Sequence, residues 1–200
     1  MNYYQDLTLI SNTEINLAYV WQKVFQQVHL ALVEMKTADG NSDIAVSFPE
    51  YEDKDFPLGN KLRLFASTQA QLLQLDISKR LNRLTDYCHY TSIKEVPKVD
   101  KYACFNRKQF KTNVLRRARR RIKSTGETIE QASNYLVSKG FTDKESKLPY
   151  INLESKSTAE KETGPHKFRL FIERKILTEP EQGDFNCYGL SNHATVPWFD

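Results

Sequence analysis

Cysteine is scarce in this chain. Its 200 residues include three cysteines, Cys88, Cys104 and Cys187, with no C-x-x-C pair. An odd number without paired spacing argues against a disulfide framework. Cys88 precedes His89 directly, and no second ligand pair stands at zinc-finger spacing. We therefore expect no disulfides, no bound metal and a reducing, cytoplasmic location.

Long apolar runs and flexible linkers are also missing. No apolar run approaches the ~18 residues of a membrane span, and the N-terminal sequence MNYYQDLTLI lacks the basic and apolar regions of a secretory signal. Glycine and proline number only seven each, and no segment is of low complexity. With 40% apolar and 27% charged residues, the composition predicts a folded globular protein without a membrane partner.

Acidic residues are absent from one segment. Between Lys101 and Gly126 lie ten lysines and arginines and no aspartate or glutamate. The remaining 19 basic and 25 acidic residues leave a net charge of −6, although the whole chain carries +4. Such a concentration of positive charge is the electrostatic footprint of a protein that binds a polyanion, most often a nucleic acid.

Hydrophobic periodicity predicts the order β-α-β-β-α-β in the first half of the chain. The predicted elements are a strand over 3–10, a helix over 17–35, strands over 44–48 and 61–66, a helix over 69–84 and a strand over 87–96. This order is typical of ferredoxin-like and RNA-recognition-motif-like domains. We therefore predict an α+β fold whose residues 1–97 form a ferredoxin-like domain.

The second half, residues 98–200, is predicted to be a smaller α+β domain that follows Pro97. A basic helix over 108–123 breaks at 124–126, and a further helix begins after the capping residue Thr128 and ends at Gly140. Three strands are predicted after it, over 150–155, 166–176 and 185–190.

The basic helix has a narrow apolar stripe, formed by Leu115, Ala118 and Ile122. Six cations occupy its other faces, four of them together at i, i+3, i+4 and i+7. They are Arg116, Arg119, Arg120 and Lys123, flanked by Arg117 and Arg121. Because no acid in the segment can pair with them, these cations repel one another unless a polyanion neutralises them. A solvated charged face is the alternative, and we favour contact with nucleic acid.

Histidines are candidates for proton transfer, because imidazole titrates near neutral pH. His29 lies at the edge of the apolar stripe of the first helix, one turn after Phe25. His89, His166 and His193 compete on the same terms. A structural, hydrogen-bonded role is the alternative at each position, and sequence position alone does not separate them.

Other candidate sites have weaker support. Ser155 and Ser157 lie on one face of a predicted strand, where serines are usually ordinary strand residues. The acidic residues of 50–55 lie in a loop bounded by prolines, which favours solvation over metal binding. The chain has no G-x-S-x-G, no phosphate-binding loop and no G-x-G-x-x-G, so we predict no cofactor.

Eight short sequence blocks recur in a familiar order across almost the whole chain. They are FQQVHLALV (25–33), IAVSFPEYED (44–53), LGNKLRLFAS (58–67), RKQFKTN (107–113), LESKST (153–158), HKFRLFI (166–172), FNCYGLS (185–191) and VPWF (196–199). Together they resemble the CRISPR-associated repeat endoribonuclease of type I-F systems. The resemblance implies an enzyme that cuts precursor CRISPR RNA once, at the foot of a repeat stem-loop. It also implies that the mature crRNA stays bound and joins the other subunits of the interference complex.

The resemblance also implies catalytic roles. His29 matches the family's catalytic histidine, Ser155 its catalytic serine and Tyr188 its active-site tyrosine. Attack by the RNA's own 2′-OH leaves a 2′,3′-cyclic phosphate and a 5′-OH, and it needs proton transfer and in-line geometry rather than a metal.

Further residues are implied to contact the RNA. Arg107 and Gln109 match the pair that reads bases near the foot of the hairpin, and Phe168 matches the aromatic residue that stacks on its terminal base pair. The basic helix is implied to enter the hairpin's major groove, with Arg120 as the best single candidate for contact. Ser157 joins these RNA-binding residues.

Two departures from the family pattern keep alternatives open. Glu154 stands where a basic residue is expected beside the serine, and residues 159–164 form a longer loop. One alternative is a catalytically silent subunit that anchors guide RNA in a type I-F or transposon-borne CRISPR complex. The other is a generic basic module that binds nucleic acid without regard to hairpin sequence.

Overall fold

The fold consists of two antiparallel sheets and five helices within the described residues. A computed structural model describes residues 1–109, 114–141, 146–160 and 164–199, without the side chains of residues 116, 156–160 and 164–165. The elements are β1 (Tyr3–Leu9), α1 (Leu17–Glu34), β2 (Ile44–Ser47), β3 (Lys61–Ala66), α2 (Gln69–Leu75), α3 (Ile77–Arg80), β4 (Cys88–Tyr90), β5 (Lys94–Glu95), β6 (Tyr102–Lys108), α4 (Val114–Thr125), α5 (Ile129–Ser138), β7 (Tyr150–Glu160), β8 (Gly164–Leu177) and β9 (Val196–Pro197). The predicted α+β class is confirmed. Within these ranges, no helix is both long and apolar enough to cross a membrane.

The first sheet has the strand order β2-β3-β1-β4, and β5 also pairs with β1. All of these pairs are antiparallel, which is the arrangement expected of a ferredoxin-like β-α-β-β-α-β unit. Helix α1 begins after Asn16, whose side chain accepts a hydrogen bond from the Tyr19 N–H. The helix buries an apolar face that includes Trp21, Phe25 and Val28, as its periodicity predicts.

Two elements of the first sheet differ from their predictions. The helix predicted over 69–84 is broken at Asp76, whose φ of +45° ends α2 and whose side chain accepts the Lys79 N–H to begin α3. The strand predicted over 87–96 is divided into β4 and β5. Between them, the Thr91 carbonyl accepts a hydrogen bond from the Gln5 side chain instead of continuing the ladder.

The second sheet has the order β7-β8-β6-β9 and contains two strands that the sequence did not predict, β6 and the short β9. Strand β6 occupies Tyr102–Lys108, so Lys108 ends a strand, and the basic helix begins only at Val114. The pattern failed here because apolar residues run along both faces of β6 between charged ends. Residues 110–113, at the predicted start of the helix, lie outside the described residues.

The strand predicted over 185–190 is a turn. The Asn186 side chain accepts the Tyr188 N–H, and Gly189 adopts a φ of +70°. The Gly189 backbone packs against β2, where its carbonyl accepts the Val46 N–H at 2.8 Å. A Cβ at position 189 would lie 2.5 Å from Val46 Cγ2, so this approach requires glycine.

Two compact units make up the chain: Met1–Lys108 with Pro149–Asp200, and Gln109–Leu148. The predicted boundary at Pro97 falls inside the first unit, because side chains of both sheets share one hydrophobic core. Leu64 of β3 and Ile172 of β8, for example, both belong to it. The division of the chain into one domain of residues 1–97 and another of residues 98–200 stays a prediction.

The second unit is a helical hairpin with its own small core. Val114 and Ala118 of α4 pack with Ala132 and Leu136 of α5, and Ile122 adds partial cover. The predicted stripe is wrong at one position, because Leu115 is 51% exposed. A helix that begins at residue 114 turns residues 114, 118 and 122 toward its partner.

Both predicted boundaries of helix α5, the helix that follows the basic helix, are confirmed. Thr128 forms a capping box with Gln131, which satisfies N–H groups at the start of α5. Gly140, with a φ of +81°, follows the last turn.

A buried ion pair joins the neighbouring strands β1 and β3 of the first sheet. Arg63 of β3 is 2% exposed and binds both carboxylate oxygens of Asp6, at 2.6 and 3.0 Å. Its guanidinium also donates to the Phe199 carbonyl at 2.7 Å and lies 3.9 Å from that ring's centroid. The C-terminal segment therefore covers Arg63.

Loss of the Asp6 carboxylate should unfold the protein more easily. We expect Asp6→Asn to lower the free energy of unfolding by about 3–5 kcal/mol, because it leaves the Arg63 charge buried without its counter-ion. The matched control is Glu34→Gln, which breaks the exposed Arg80–Glu34 pair and should cost less than about 1 kcal/mol. Urea unfolding measures both, and equal losses would contradict the special role of the buried pair.

Candidate functional site

His29 lies near the end of α1 and is partly buried. Its Nδ1 lies 2.9 Å from the Cys187 carbonyl oxygen. Because a carbonyl only accepts hydrogen bonds, Nδ1 carries the proton and donates it to Cys187. The neutral imidazole therefore keeps its lone pair on Nε2, which is the atom able to accept a proton.

Tyr188 covers one face of this imidazole. The two rings are nearly parallel, at 6°, and their centroids are 4.2 Å apart. Tyr188 belongs to the turn over residues 185–190, which is held in place by the Gly189–Val46 hydrogen bond to β2 and by the Ser42–Phe185 bridge just before β2. The packing of this turn therefore sets the orientation of His29 through Cys187 and Tyr188.

Arg107, at the end of β6, continues the stack. Its guanidinium lies 5.1 Å from the Tyr188 ring centroid and 5.7 Å from that of Phe168 on β8. Arg107 lies opposite Ile172 in the β6–β8 register, on the same sheet face as Phe168. The structure thus brings together four residues that the sequence assigned to the site: His29, Tyr188, Arg107 and Phe168.

The pKa of His29 is lower than its ordinary value of 6.5. Burial is the main cause, since it disfavours the charged imidazolium; the hydrogen bond to Cys187 opposes this effect and the nearby Arg107 charge adds to it. Burial also raises the pKa of Tyr188, and Arg107 partly offsets that rise. At neutral pH, His29 is therefore neutral and ready to accept a proton.

Ser155 lies on β7, opposite His166 of β8. Its side chain is partly buried and lies on the same sheet face as Phe168. The neighbouring Glu154 N–H donates to Oε1 of Gln26, three residues before His29 on α1, at 3.1 Å. The serine strand therefore runs beside the helix that carries the histidine.

The other candidate residues, three histidines and the acidic loop, lie outside the stack of His29, Tyr188, Arg107 and Phe168. His89 on β4, His166 on β8 and His193 before β9 are all exposed, and of the three only His166 lies opposite Ser155 in the strand register. Glu50 of the acidic loop accepts the Asn60 N–H. Among the described residues, no three histidine, cysteine, aspartate or glutamate side chains gather where they could hold a metal ion.

The predicted RNA-binding residues of the second unit fall into two groups. Arg121 binds both carboxylate oxygens of Glu127 at 2.7 Å and lies 3.8 Å from the Tyr135 ring centroid. Arg117 lies 4.3 Å from the centroid of Phe141. The exposed residues are Gln109, Arg119, Arg120 and Lys123. The side chains of Arg116 and Ser157 lie outside the described ones.

Comparison with known proteins points to one family. The sequence model of the Cas_Csy4 family, described as CRISPR-associated protein, matches residues 4–199. The chain belongs to the Cas_Csy4 family. Two curated relatives are each named CRISPR-associated endonuclease Cas6/Csy4, and each is 34% identical over the full length of both chains. One is from Escherichia coli (strain UTI89 / UPEC) and the other from Pseudomonas aeruginosa (strain UCBPP-PA14). The predicted resemblance is confirmed.

Several features of this Cas_Csy4 site were missed in the sequence. The Cys187 carbonyl and the Glu154 N–H are backbone groups, and because every residue has them, no sequence motif marks their role. The i, i+4, i+7 spacing of Gln22, Gln26 and His29 was visible and would have placed all three on one helix face.

Removal of the Arg107 charge should raise the pKa of His29. In Arg107→Gln, the guanidinium no longer disfavours the imidazolium, so we expect the imidazole to titrate at a higher pH than in the wild type. Titration of the histidine ring protons by NMR measures this shift. Arg80→Gln, which removes an equal charge from α3, should leave it unchanged, and equal shifts in both variants would contradict a local effect.

Proposed function

We propose that this chain is an endoribonuclease that cuts precursor CRISPR RNA at the foot of a repeat stem-loop, without a metal ion. The observation that carries the proposal is the His29 imidazole, with Nδ1 hydrogen-bonded to Cys187 and Nε2 available to accept a proton. Family membership and the endonuclease names of the two relatives support the same reaction class.

The cut begins with the RNA's own 2′-OH. Nε2 of neutral His29 takes the 2′-OH proton, and the 2′ oxygen attacks the adjacent phosphorus. The bond from phosphorus to the 5′ oxygen breaks, and that oxygen takes a proton from the imidazolium or from water. The products are a 2′,3′-cyclic phosphate and a 5′-OH. Ser155 orients the ribose so that attack and departure lie in line.

Recognition of the stem-loop uses both compact units. Phe168 offers a ring on which the terminal base pair stacks, and Arg107 beside it has the forked donors that read a guanine edge. Gln109, Ser157 and the cations of α4 add contacts to the stem. Because most of these contacts lie upstream of the cut, the crRNA stays bound after cleavage, and the protein and its crRNA together join the other subunits of the type I-F interference complex.

A second function deserves a test because of Glu154. Glu154 precedes Ser155 on β7 and adds a negative charge that opposes an approaching phosphate, and Lys167 faces its carboxylate only across 3.8 Å. On this reading the chain anchors the same crRNA in a type I-F or transposon-borne complex but does not cut it.

Incubation of the protein with its own repeat RNA in EDTA separates the two functions. We expect one cut, no cut when the nucleotide before the scissile phosphate is 2′-deoxy, and a rate about 10²–10⁴-fold lower in His29→Ala. His89→Ala, an exposed histidine on β4, is the matched control and should cut at the wild-type rate. Tight binding without a cut would support the anchoring subunit, and a cut that requires added metal would overturn the mechanism.

The cations of α4 should differ in their contribution to RNA binding. Arg120 is exposed, so Arg120→Gln should weaken binding and make the slope of log K against log salt shallower by about 0.7–0.9, the value of one phosphate contact. Arg121 is already paired with Glu127, so Arg121→Gln should lower the melting temperature and leave the slope nearly unchanged.

Binding isotherms at several salt concentrations, with thermal melts of the free protein, measure both effects. A slope change in Arg121→Gln as large as that in Arg120→Gln would show that the Glu127 pair opens to admit the RNA.

A further inference from the structure

Strand β7 pairs with another strand on one side only at Ser155, among the described residues. It is the outermost strand of its sheet, with no strand beyond it among the described residues. Its regular pairing with β8 ends at Ser155 opposite His166, and the register then shifts until Glu160 pairs with Gly164. The ladder therefore fixes Ser155 from one side only and stops there.

Helix α1 supplies the missing support on the outer side of the strand. Oε1 of Gln26 accepts the Glu154 N–H at 3.1 Å, in the place where a neighbouring strand would offer a carbonyl. Gln22, one turn earlier, donates from Nε2 to Oε1 of Glu154 at 3.3 Å. The two glutamines thus hold both the backbone and the side chain of the residue next to Ser155.

The same helix face carries the catalytic histidine. Gln22, Gln26 and His29 are at i, i+4 and i+7, so they share one face of α1. A rigid helix therefore links the support of the serine strand to the imidazole. Glu154 connects the helix to the strand, because its carboxylate accepts a hydrogen bond from Gln22 and also faces the Lys167 ammonium.

We propose that Gln26 and Gln22 are positioning residues that act through Glu154 to hold Ser155 at a fixed place relative to His29. This inference rests on the proposed function and adds residues that touch neither the RNA nor the reacting atoms. It also explains why an acidic residue is acceptable beside the serine: its charge serves as a hydrogen-bond acceptor for α1 rather than pointing unpaired toward the phosphate.

The test is a double-mutant cycle on the cleavage step. Single-turnover rates at saturating protein should fall roughly 10–100-fold in Gln26→Ala, since an ångström of misplacement has an effect of that order. Gln26→Ala combined with Ser155→Ala should be no slower than Ser155→Ala alone, to within about twofold, because both changes remove the same contribution. A loss of stability alone would add to the Ser155 effect instead.

Three controls make the result specific. Gln27→Ala changes the neighbouring glutamine, whose side chain makes no hydrogen bond among the described residues, and should cut at the wild-type rate. Glu154→Gln keeps the N–H for Gln26 and a side-chain oxygen for Gln22, so its cleavage rate should stay much closer to that of the wild type than the rate of Gln26→Ala. The affinity of Gln26→Ala for uncleavable 2′-deoxy RNA should stay within about twofold of the wild type, since a positioning residue contributes to the rate and not to binding.

The outcomes separate the two proposals. A wild-type chain that does not cut removes the proposed function and this inference with it. A wild-type chain that cuts, together with a Gln26→Ala variant that is unchanged or that combines additively with Ser155→Ala, overturns the inference and leaves the proposed function standing.

Discussion

The hydrogen bond from His29 Nδ1 to the Cys187 carbonyl is the interaction on which the site depends. It joins a helix of the first sheet to a turn that lies more than 150 residues later in the chain, and it decides which imidazole nitrogen is free. Tyr188 stacks on the ring thus oriented, and Arg107 stacks on Tyr188. This packing buries the His29 imidazole, and the burial lowers its pKa and so favours the neutral form. The geometry of the candidate site is therefore set by the shared core of the two sheets as much as by the site residues themselves.

The basic residues of the chain fall into two groups with different surroundings. Arg63 and Arg121 are bound to carboxylates and stack on aromatic rings, so they hold the fold together. Arg119, Arg120 and Lys123 are exposed and remain available to a polyanion. Counting basic residues in a segment cannot separate these groups, because Glu127 lies one residue beyond the acid-free stretch and Asp6 lies on another strand.

Local patterns were sufficient wherever neighbours in sequence determine the structure. The periodicity of α1, the capping of α5 by Thr128 and the β-α-β-β-α-β order were all predictable, and the family resemblance identified the residues of the stack. The break at Asp76 and the turn at Asn186 were missed although their hydrogen-bond partners are local, since the apolar patterns run on through both positions. The strand β6 was not predictable, because its ladder partner β8 lies about 70 residues later in the chain. The same holds for Gln26: its type indicates nothing until β7 is placed beside it.

The close approach of Gly189 to Val46 has a consequence for how this protein tolerates change. The backbone of the turn and the side chain of β2 occupy adjoining space, so the size of the residue at either position limits the other. A survey of variants scored only by activity would therefore mark positions 46 and 189 as functional. Their role is steric, because they set the distance between the Tyr188 phenol and the His29 imidazole. We therefore expect a larger residue at one of the two positions to be tolerated only together with a smaller residue at the other.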